Sequence, residues 1–414
     1  MRILYISQYF PPEMGAPAAR VSELGRHWAR AGHQVTVLTG FPNHPTGVVQ
    51  PEYRARFRHL IYRERIEGID VLRTWLLPLA NRRAYERLLN YLSFCLSSSV
   101  AGTFLQQPDV IIATSPQLFV GLAGWWLGRI KRTPFILEVR DLWPDSITAS
   151  GMGRQGSMPV RALQALSAFL YRASNHIVVV SPAFKEDIIA KWNINPEKIS
   201  LVENGVETDL FSPNGSQEAV KQDFGLNGKF VVSYIGTLGL AQGLTTVLEA
   251  AGELKKEAPQ IAFLLVGEGA DKDRLASLAR EQNLVNVQFL SQQPREKIPA
   301  LIRASDICLV LLKKAPVFRT VIPTKMLEFM ACGRPVILGV DGQARQVLEK
   351  AKGGIFIEPE NHKALLEEVI LLYKDSTFRQ TLGQNGRNYI VEHLSREQTA
   401  KDYVIILKKV TMRK

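Results

Sequence analysis

Cysteine is scarce: three in 414 residues, Cys95, Cys308 and Cys332, far apart and mostly inside apolar runs. No pairing pattern or metal-ligand spacing connects them, which predicts reduced core residues in a cytosolic protein rather than a disulfide scaffold or a zinc module. Long hydrophobic runs are also missing. No stretch of about 18 or more apolar residues occurs, so no membrane span is expected. Met1 to Ser7 is apolar for only a few residues before Gln8, which fits a buried first strand rather than a signal peptide. There is no repeat array and no low-complexity segment. The G-x-G-x-x-G fingerprint is absent after the first strand, which counts against a nicotinamide or flavin dinucleotide site. Acid is in short supply: 39 Asp and Glu stand against 51 Lys and Arg, a formal charge of +12. That surplus calls for an anionic partner, whether phosphorylated small molecules, nucleic acid or an anionic membrane surface. No aromatic-plus-basic recognition module supports nucleic acid.

What is present is an alternation of strands and helices long enough for two domains. In the first half, strands are expected at Ile3–Ser7, Gln34–Thr39, Val110–Ala113, Pro134–Val139, His176–Val180 and Ile199–Val202, with helices at 18–31 and 118–127. A loop from Gln8 to Ala16 follows the first strand, and its Gly15 either makes a plain turn or lets a ligand approach the backbone closely. Arg140-Asp141 follows the strand ending at Val139. Ligands of open parallel sheets bind beyond the carboxyl ends of the strands, so both residues are candidates for a cleft; the alternative is that Asp141 caps a turn. Composition shifts over 207–228, and the linker is placed near 206–213. The alternation then restarts, with strands at Phe230–Ile235, Ile261–Val266, Val287–Leu290, Ile307–Leu311 and Pro335–Gly339 and helices at 244–257, 273–281 and 298–304. The expected architecture is α/β, two doubly wound Rossmann-like domains with parallel sheets.

Residues 50–90 are strongly basic, with Arg54, Arg56, Arg58, Arg63, Arg65, Arg73, Arg82, Arg83 and Arg87. A helix-length stretch from Tyr85 to Leu105 follows, with Leu88, Leu92, Cys95, Leu96 and Ser99 marking one face. Either it lies on an anionic membrane surface, or it is a buried amphipathic helix beside a solvated loop.

The richest stretch is Pro323-Thr324-Lys325-Met326-Leu327-Glu328-Phe329-Met330-Ala331-Cys332-Gly333-Arg334-Pro335-Val336-Ile337-Leu338. It reads as a helix with Pro323 at the first position, a left-handed stop at Gly333 and a strand. Lys325 and Glu328 share one face of the first turn. One reading is a solvated ion pair. The other is a site in which helix-start amides and Lys325 hold a diphosphate while Glu328 accepts a ribose diol.

Leu327 to Ile337 resembles the signature of family 4 glycosyltransferases, retaining enzymes of the GT-B fold. Glu203-Asn204-Gly205-Val206, Leu264-Leu265-Val266-Gly267-Glu268-Gly269 and Gly32-His33-Gln34-Val35-Thr36-Val37 resemble further pieces of that family, and the likeness covers nearly the whole chain. Tyr9-Phe10-Pro11-Pro12-Glu13 with Ala19-Arg20, Arg140-Asp141-Leu142-Trp143-Pro144 and Gly239-Leu240-Ala241-Gln242-Gly243 are similar to bacterial O-antigen, capsule and colanic acid enzymes, including N-acetyl-L-fucosamine transferases. The resemblance implies two parallel sheets facing across a cleft: an acceptor domain over 1–206, a nucleotide-sugar domain over 207–394, and a C-terminal helix within 395–414 packing back on the first. It implies transfer of a sugar from a UDP-type donor, such as UDP-N-acetyl-L-fucosamine, to a polyprenyl-diphosphate-linked saccharide at the inner face of the plasma membrane. A nucleotide-sugar 2-epimerase of the same architecture and a non-catalytic nucleotide-sugar sensor are the alternatives.

In that frame Asp141, Lys325 and Arg140 are the expected catalytic residues. Glu328, Thr324, Gly236, Thr237, Gln242, Gly267, Gly15, Arg295 and Arg319 are the expected donor contacts. The sequence departs from the family pattern at four positions: Thr320 stands where a second Glu is usual, Thr237 and Gln242 where the diphosphate-gripping Arg and Lys fall, and Arg140 where a His is common. Positive charge must then come from Lys325 first, with Arg319 and Arg295 as weaker candidates. No cofactor and no metal are expected, and Asp271-Lys272-Asp273, a superficial D-x-D, is read as a helix start.

Overall fold

Strands buried on both faces must be apolar throughout, and the runs that meet this demand form two sheets. The computed structural model describes residues 1–13, 15–44, 46–79, 83–115, 117–143 and 156–412; Arg82 and Pro144, named above, lie outside them. The chain divides into two units, 1–204 with 397–414, and 205–396.

In the first unit β1 (Arg2–Ile6), β2 (Gln34–Gly40), β3 (Ile61–Ile66), β4 (Ile69–Thr74), β5 (Val110–Thr114), β6 (Phe135–Val139), β7 (His176–Val179) and β8 (Ile199–Leu201) form one sheet, ordered β3-β4-β2-β1-β5-β6-β7-β8. Every pairing is parallel except the β3–β4 hairpin, where Ile66 faces Ile69 across a turn at Glu67-Gly68. That turn needs positive φ at both residues, which are at 49° and 85°. The hairpin was not expected: β3 is half-exposed and reads Ile-Tyr-Arg-Glu-Arg-Ile, without the apolar run that marks its neighbours.

Helix α1 (Ala16–Arg30) lies on one face of this sheet with the C-terminal helix, where Trp28 donates to the Ala400 carbonyl at 3.0 Å and packs edge-on against Tyr403. Beyond the short α2 (Arg54–Phe57), helices α3 (Ala84–Thr103), α4 (Phe119–Ile130), α5 (Met158–Ala173) and α6 (Pro182–Trp192) follow. Residues of α3 to α6 cover the opposite face of the sheet.

The second unit contains α7 (Gln217–Asp223), β9 (Phe230–Ile235), α8 (Thr245–Glu257), β10 (Ile261–Val266), α9 (Lys272–Glu281), β11 (Val287–Leu290), α10 (Ile298–Ala304), β12 (Ile307–Leu311), α11 (Thr324–Ala331), β13 (Val336–Gly339), α12 (Gln343–Ala351), β14 (Gly354–Phe356), α13 (His362–Lys374) and α14 (Ser376–His393). Its sheet is wholly parallel, in the order β11-β10-β9-β12-β13-β14. Phe211, inside the expected linker, is fully buried, and α7 forms further along the stretch where composition shifts. The last helix, α15 (Arg396–Met412), has residues 397–412 in the first unit.

A buried ion pair ties the first unit together. Glu138 interrupts the apolar strand β6, and the Arg20 guanidinium from α1 meets it at 3.0 Å, with both side chains at most 1 % exposed. Tyr5 on β1 donates to the second carboxylate oxygen at 2.6 Å. The remaining Arg20 donors reach the Val202 and Glu203 carbonyls and the Asn204 side chain. Burial alone would raise the Glu138 carboxyl; the Arg20 and Arg140 guanidiniums outweigh it and hold the group below its ordinary range. Glu138→Gln leaves the Arg20 charge uncompensated, so we expect a loss of about 3–5 kcal/mol. All six tryptophans lie in the first unit, so tryptophan fluorescence during urea unfolding reads this unit. A loss below about 1 kcal/mol would mean that the carbonyls alone satisfy Arg20.

Candidate functional site

Both sheets have a topological switch point, where the chain leaves a central strand in opposite directions and opens a crevice at the strand carboxyl ends. In the second unit the switch lies between β9 and β12. Tyr234, on β9, is buried and donates its hydroxyl to the Thr237 carbonyl at 2.9 Å, shaping the turn that follows. Gly236 and Gly267 end β9 and β10 with φ of 149° each. A Cβ at Gly267 would stand 1.9 Å from the Gly236 carbonyl oxygen, so only glycine lets the two strand ends meet.

Lys325 enters this crevice from the first turn of α11. Its Nζ lies 3.7 Å from the centroid of the Tyr234 ring, and 3.4 Å from where a Cβ on Gly236 would stand. Among the described residues it has no carboxylate partner. Desolvation pushes its ammonium down to about 7. The solvated Lys325–Glu328 pair does not form. Glu328 takes Arg295 at 3.0 Å instead, and the Arg295 guanidinium lies over the Phe211 ring. Pro323 is the cap rather than the first helical residue; α11 begins at Thr324, with no side chain capping its amides. The far end stops as expected: Gly333 has φ 68°, and the Arg334 amide returns to the Phe329 carbonyl at 3.1 Å.

The remaining expected donor contacts separate. Thr237 is exposed in the turn after β9. Gln242 folds back and accepts the Gly239 amide at 3.1 Å, bracing its own loop. Arg319 pairs with Asp341 at 3.3 Å and is two-thirds exposed; it is not with Lys325. Arg295 is engaged with Glu328 and is not an uncommitted cation. The D-x-D stretch is a helix start: Asp271 precedes α9 and holds Arg274 at 2.6 Å.

In the first unit the switch lies between β1 and β5. Arg140 and Asp141 follow β6. The Arg140 side chain donates to the Ala16 carbonyl at 3.1 Å, next to Gly15, which precedes α1 with φ 137°. Asp141 is half-buried, and its carbonyl accepts the Trp143 amide. A buried polar chain crosses the crevice: Gln117 donates to Gln8 at 2.8 Å, and Gln8 donates to Asn90 of α3. Burial, and then Tyr91, push the Tyr9 phenol well above its usual range.

Glu13 is the residue here that was not singled out from the sequence as a site. It is 5 % exposed and accepts the Asn43 and His44 amides at 2.9 Å each. Desolvation outweighs these bonds and raises its carboxyl to about 7. Arg73, one of the arginines of the basic stretch 50–90, is fully buried, bonded to the Pro11 carbonyl and paired with Glu64. The signal available for Tyr234 and Glu138 was a polar side chain inside an otherwise apolar strand, which demands a partner.

The chain resembles known proteins over nearly its whole length. Residues 15–205 match the "Glycosyl transferase 4-like domain" model and residues 216–389 the "Glycosyl transferases group 1" model. The putative colanic acid biosynthesis glycosyl transferase WcaI of Escherichia coli is 26% identical over 98% of this chain and 99% of its own length. The probable glycosyltransferase WbjE of Pseudomonas aeruginosa is 24% identical over 68% of this chain and 70% of its own. Among solved structures, a sucrose-phosphate synthase from Thermosynechococcus elongatus superposes with a TM-score of 0.79 at 20% identity over 100% of both chains. Anabaena HepE in complex with UDP-glucose gives 0.73 at 17% identity, covering 99% of this chain and 100% of its own.

Two measurements follow from the shifted groups at these crevices. An anion on Lys325 raises its pKa above the value of about 7 in the empty site. Affinity is therefore full below that value and falls as pH rises through it. A nucleotide sugar, whose diphosphate diester has no group titrating near neutrality, should bind about tenfold more weakly at about pH 8.5 than at about pH 6.5 by calorimetry. Lys325→Met should flatten the profile; an unchanged slope would place the titrating group elsewhere. For Glu13 the folded pKa lies above the unfolded value. The native state therefore holds the extra proton, and stability drops as pH rises from the ordinary carboxyl range to about 7. Glu13→Gln keeps an acceptor for both amides and should stabilise the first unit by roughly 2 kcal/mol at about pH 8, and by little at about pH 5. The tryptophan-monitored urea midpoint reads this difference, and equal effects at both pH values would refute it.

Proposed function

Because the chain is a glycosyltransferase of the GT-B fold, pairing a family 4-like domain with a group 1 domain, we propose that it moves a hexosyl group from a UDP-sugar to a lipid-linked saccharide. The observation that carries this reading is the desolvated Lys325 ammonium without a carboxylate, beside uncapped helix-start amides at the switch crevice. That combination suits a diphosphate. Transfer breaks the bond between the anomeric carbon and the phosphate oxygen and forms one to the acceptor oxygen. Negative charge grows on the departing diphosphate, where Lys325 and the amides of Thr324 and Lys325 stabilise it. Gly236 and Thr237 flank the phosphates. Glu328 turns from Arg295 to the ribose hydroxyls. Asp141 orients the acceptor hydroxyl, whose proton passes to Asp141 or to the departing phosphate oxygen, with retention at the anomeric carbon and without metal.

UDP is preferred because HepE was solved with UDP-glucose. An exopolysaccharide or O-antigen setting, with an N-acetylated amino sugar such as UDP-N-acetyl-L-fucosamine as first donor to try, is favoured by the name of the Escherichia coli relative and the motif likeness. The working place would be the inner face of the plasma membrane; no helix among the described residues is long and apolar enough to cross one. The matched models and relatives are transferases, so the epimerase reading is not pursued.

Thermal-shift screening against UDP-, GDP- and dTDP-sugars tests the donor. A UDP-sugar at about 100 times its dissociation constant should stabilise the protein by about 2.7 kcal/mol, and Lys325→Glu should remove that shift. Equal shifts in wild type and Lys325→Glu would refute the site.

A further inference from the structure

Helix α3 is apolar on two opposite sides. Its inner side, with Asn90, Phe94, Ser98 and Ala101, is buried in the first unit. The face proposed from the sequence through Leu88, Cys95 and Leu96 is not the buried one: Cys95 is 8 % exposed, but Leu88 and Leu96 point outward at 45 % and 69 %. With them Tyr85, Leu89, Val100 and Phe104 are all more than 40 % exposed. Positions 85, 89, 96, 100 and 104 fall on one side of a 20-residue helix, a stripe about 30 Å long. The stripe continues onto α4. Lys131 donates to the Thr103 and Leu105 carbonyls at 2.9 and 2.6 Å, which sets the two helix ends side by side. Trp126 and Ile130 of α4, each 46 % exposed, add apolar surface on this neighbouring helix.

Charge at the margins has one sign. Arg83 is exposed at the start of α3, and Arg129 and Arg132 are exposed at the end of α4. Within the two helices the only acidic residue is Glu86, and its carboxylate is folded onto the Arg83 amide. A stripe of this length is unusual on a water-facing surface. A second copy would bring the arginine margins against each other, whereas an anionic bilayer matches both the apolar stripe and the basic rim. The near end of the stripe reaches the acceptor-side crevice, since α3 supplies Asn90 to Gln8, and Tyr91 packs 6.3 Å from Trp143.

We propose that the outer face of α3, with Trp126 and Ile130 of α4, embeds in the headgroup region of an anionic lipid bilayer. This rests on the reading that the acceptor is lipid-linked, and it specifies which surface meets the lipid. The crevice holding Asp141 then opens at the membrane plane, where a lipid-anchored saccharide can reach it without leaving the bilayer.

Flotation of the full chain tests this. With vesicles of phosphatidylglycerol and phosphatidylethanolamine the wild type should float, and with pure phosphatidylcholine it should bind about tenfold less. Leu96→Glu/Phe104→Glu should lower binding to anionic vesicles about tenfold, and Arg129→Glu/Arg132→Glu should do so with the stripe intact. Circular dichroism and the UDP-sugar thermal shift monitor folding and the donor site, neither of which uses these side chains. Wild type that stays unbound while still taking UDP-sugar overturns this proposal and leaves the donor reading standing. Leu96→Glu/Phe104→Glu floating like wild type also overturns it. So does sedimentation showing a dimer that this variant dissociates, without vesicle binding; the stripe would then be an interface between copies.

Discussion

Removing an ammonium from water costs more than the face of one aromatic ring returns, so Lys325 sits close to the limit at which a site holds it charged. Its surroundings maintain that condition rather than relieve it. The Tyr234 hydroxyl is committed to the Thr237 carbonyl, which fixes the ring beneath the ammonium. Gly236 adds no side chain at the one place where atoms would press on Nζ. Pro323 precedes the helix without a capping side chain, so no side chain claims the first amides of α11. The nearest carboxylate in sequence, Glu328, is held by Arg295. A Lys325–Glu328 pair would have been more comfortable in the empty protein and less able to take an anion. The sheet topology then decides where this happens, because in the second unit the β9–β12 switch is where a crevice opens at the strand ends.

Elsewhere the buried charges are closed. Arg20 and Glu138 satisfy each other inside the first unit, Arg73 meets Glu64, and Lys221 meets Asp306 at 2.9 Å in the second. These pairs lock strands to helices or to neighbouring strands, and removing one partner would strand the other. The two groups whose titration burial shifts to about 7 are Lys325 and Glu13, and each lies at a strand carboxyl end. A crevice is the setting in which a shifted group can serve chemistry rather than folding.

The alternation of strands and helices was legible because parallel strands buried on both faces must be continuous apolar runs. Phe230–Ile235, Ile261–Val266 and Ile307–Leu311 could be read residue by residue for that reason. The β3–β4 hairpin was not, because an edge strand such as Ile61–Ile66 alternates and carries arginines, which resembles a basic loop. Helix α7 was hidden by the Pro, Gly and Ser around it, and its Lys221 is buried only because Asp306 arrives from far along the chain. The site divided along the same line. Lys325 and Glu328 were visible from helix spacing, a local property. Their partners, Tyr234 and Arg295, come from other elements, and no local pattern links them. Glu13 was seen as part of a motif, but its role depends on two amides of the loop after β2.

The departures from the family pattern fit together physically. With Thr237 and Gln242 in the loop after β9, that loop carries no cation; Gln242 instead braces it from within by accepting the Gly239 amide. In the proposed site the positive charge comes instead from a helix start, where backbone amides add to it. A lysine in this setting differs from an arginine, which stays charged under all conditions. Near neutrality Lys325 is balanced between its two forms, and an anion tips it toward the charged one. The pull grows with the charge of the anion. A donor diphosphate is a diester, and the departing diphosphate carries one more negative charge as its bond to the sugar breaks. In the proposed site Lys325 would therefore interact more strongly as the reaction proceeds than with the bound donor, which is the condition for lowering the barrier rather than merely tightening binding. The same preference favours the diphosphate product over the donor, so a site built this way accelerates transfer at the expense of product release.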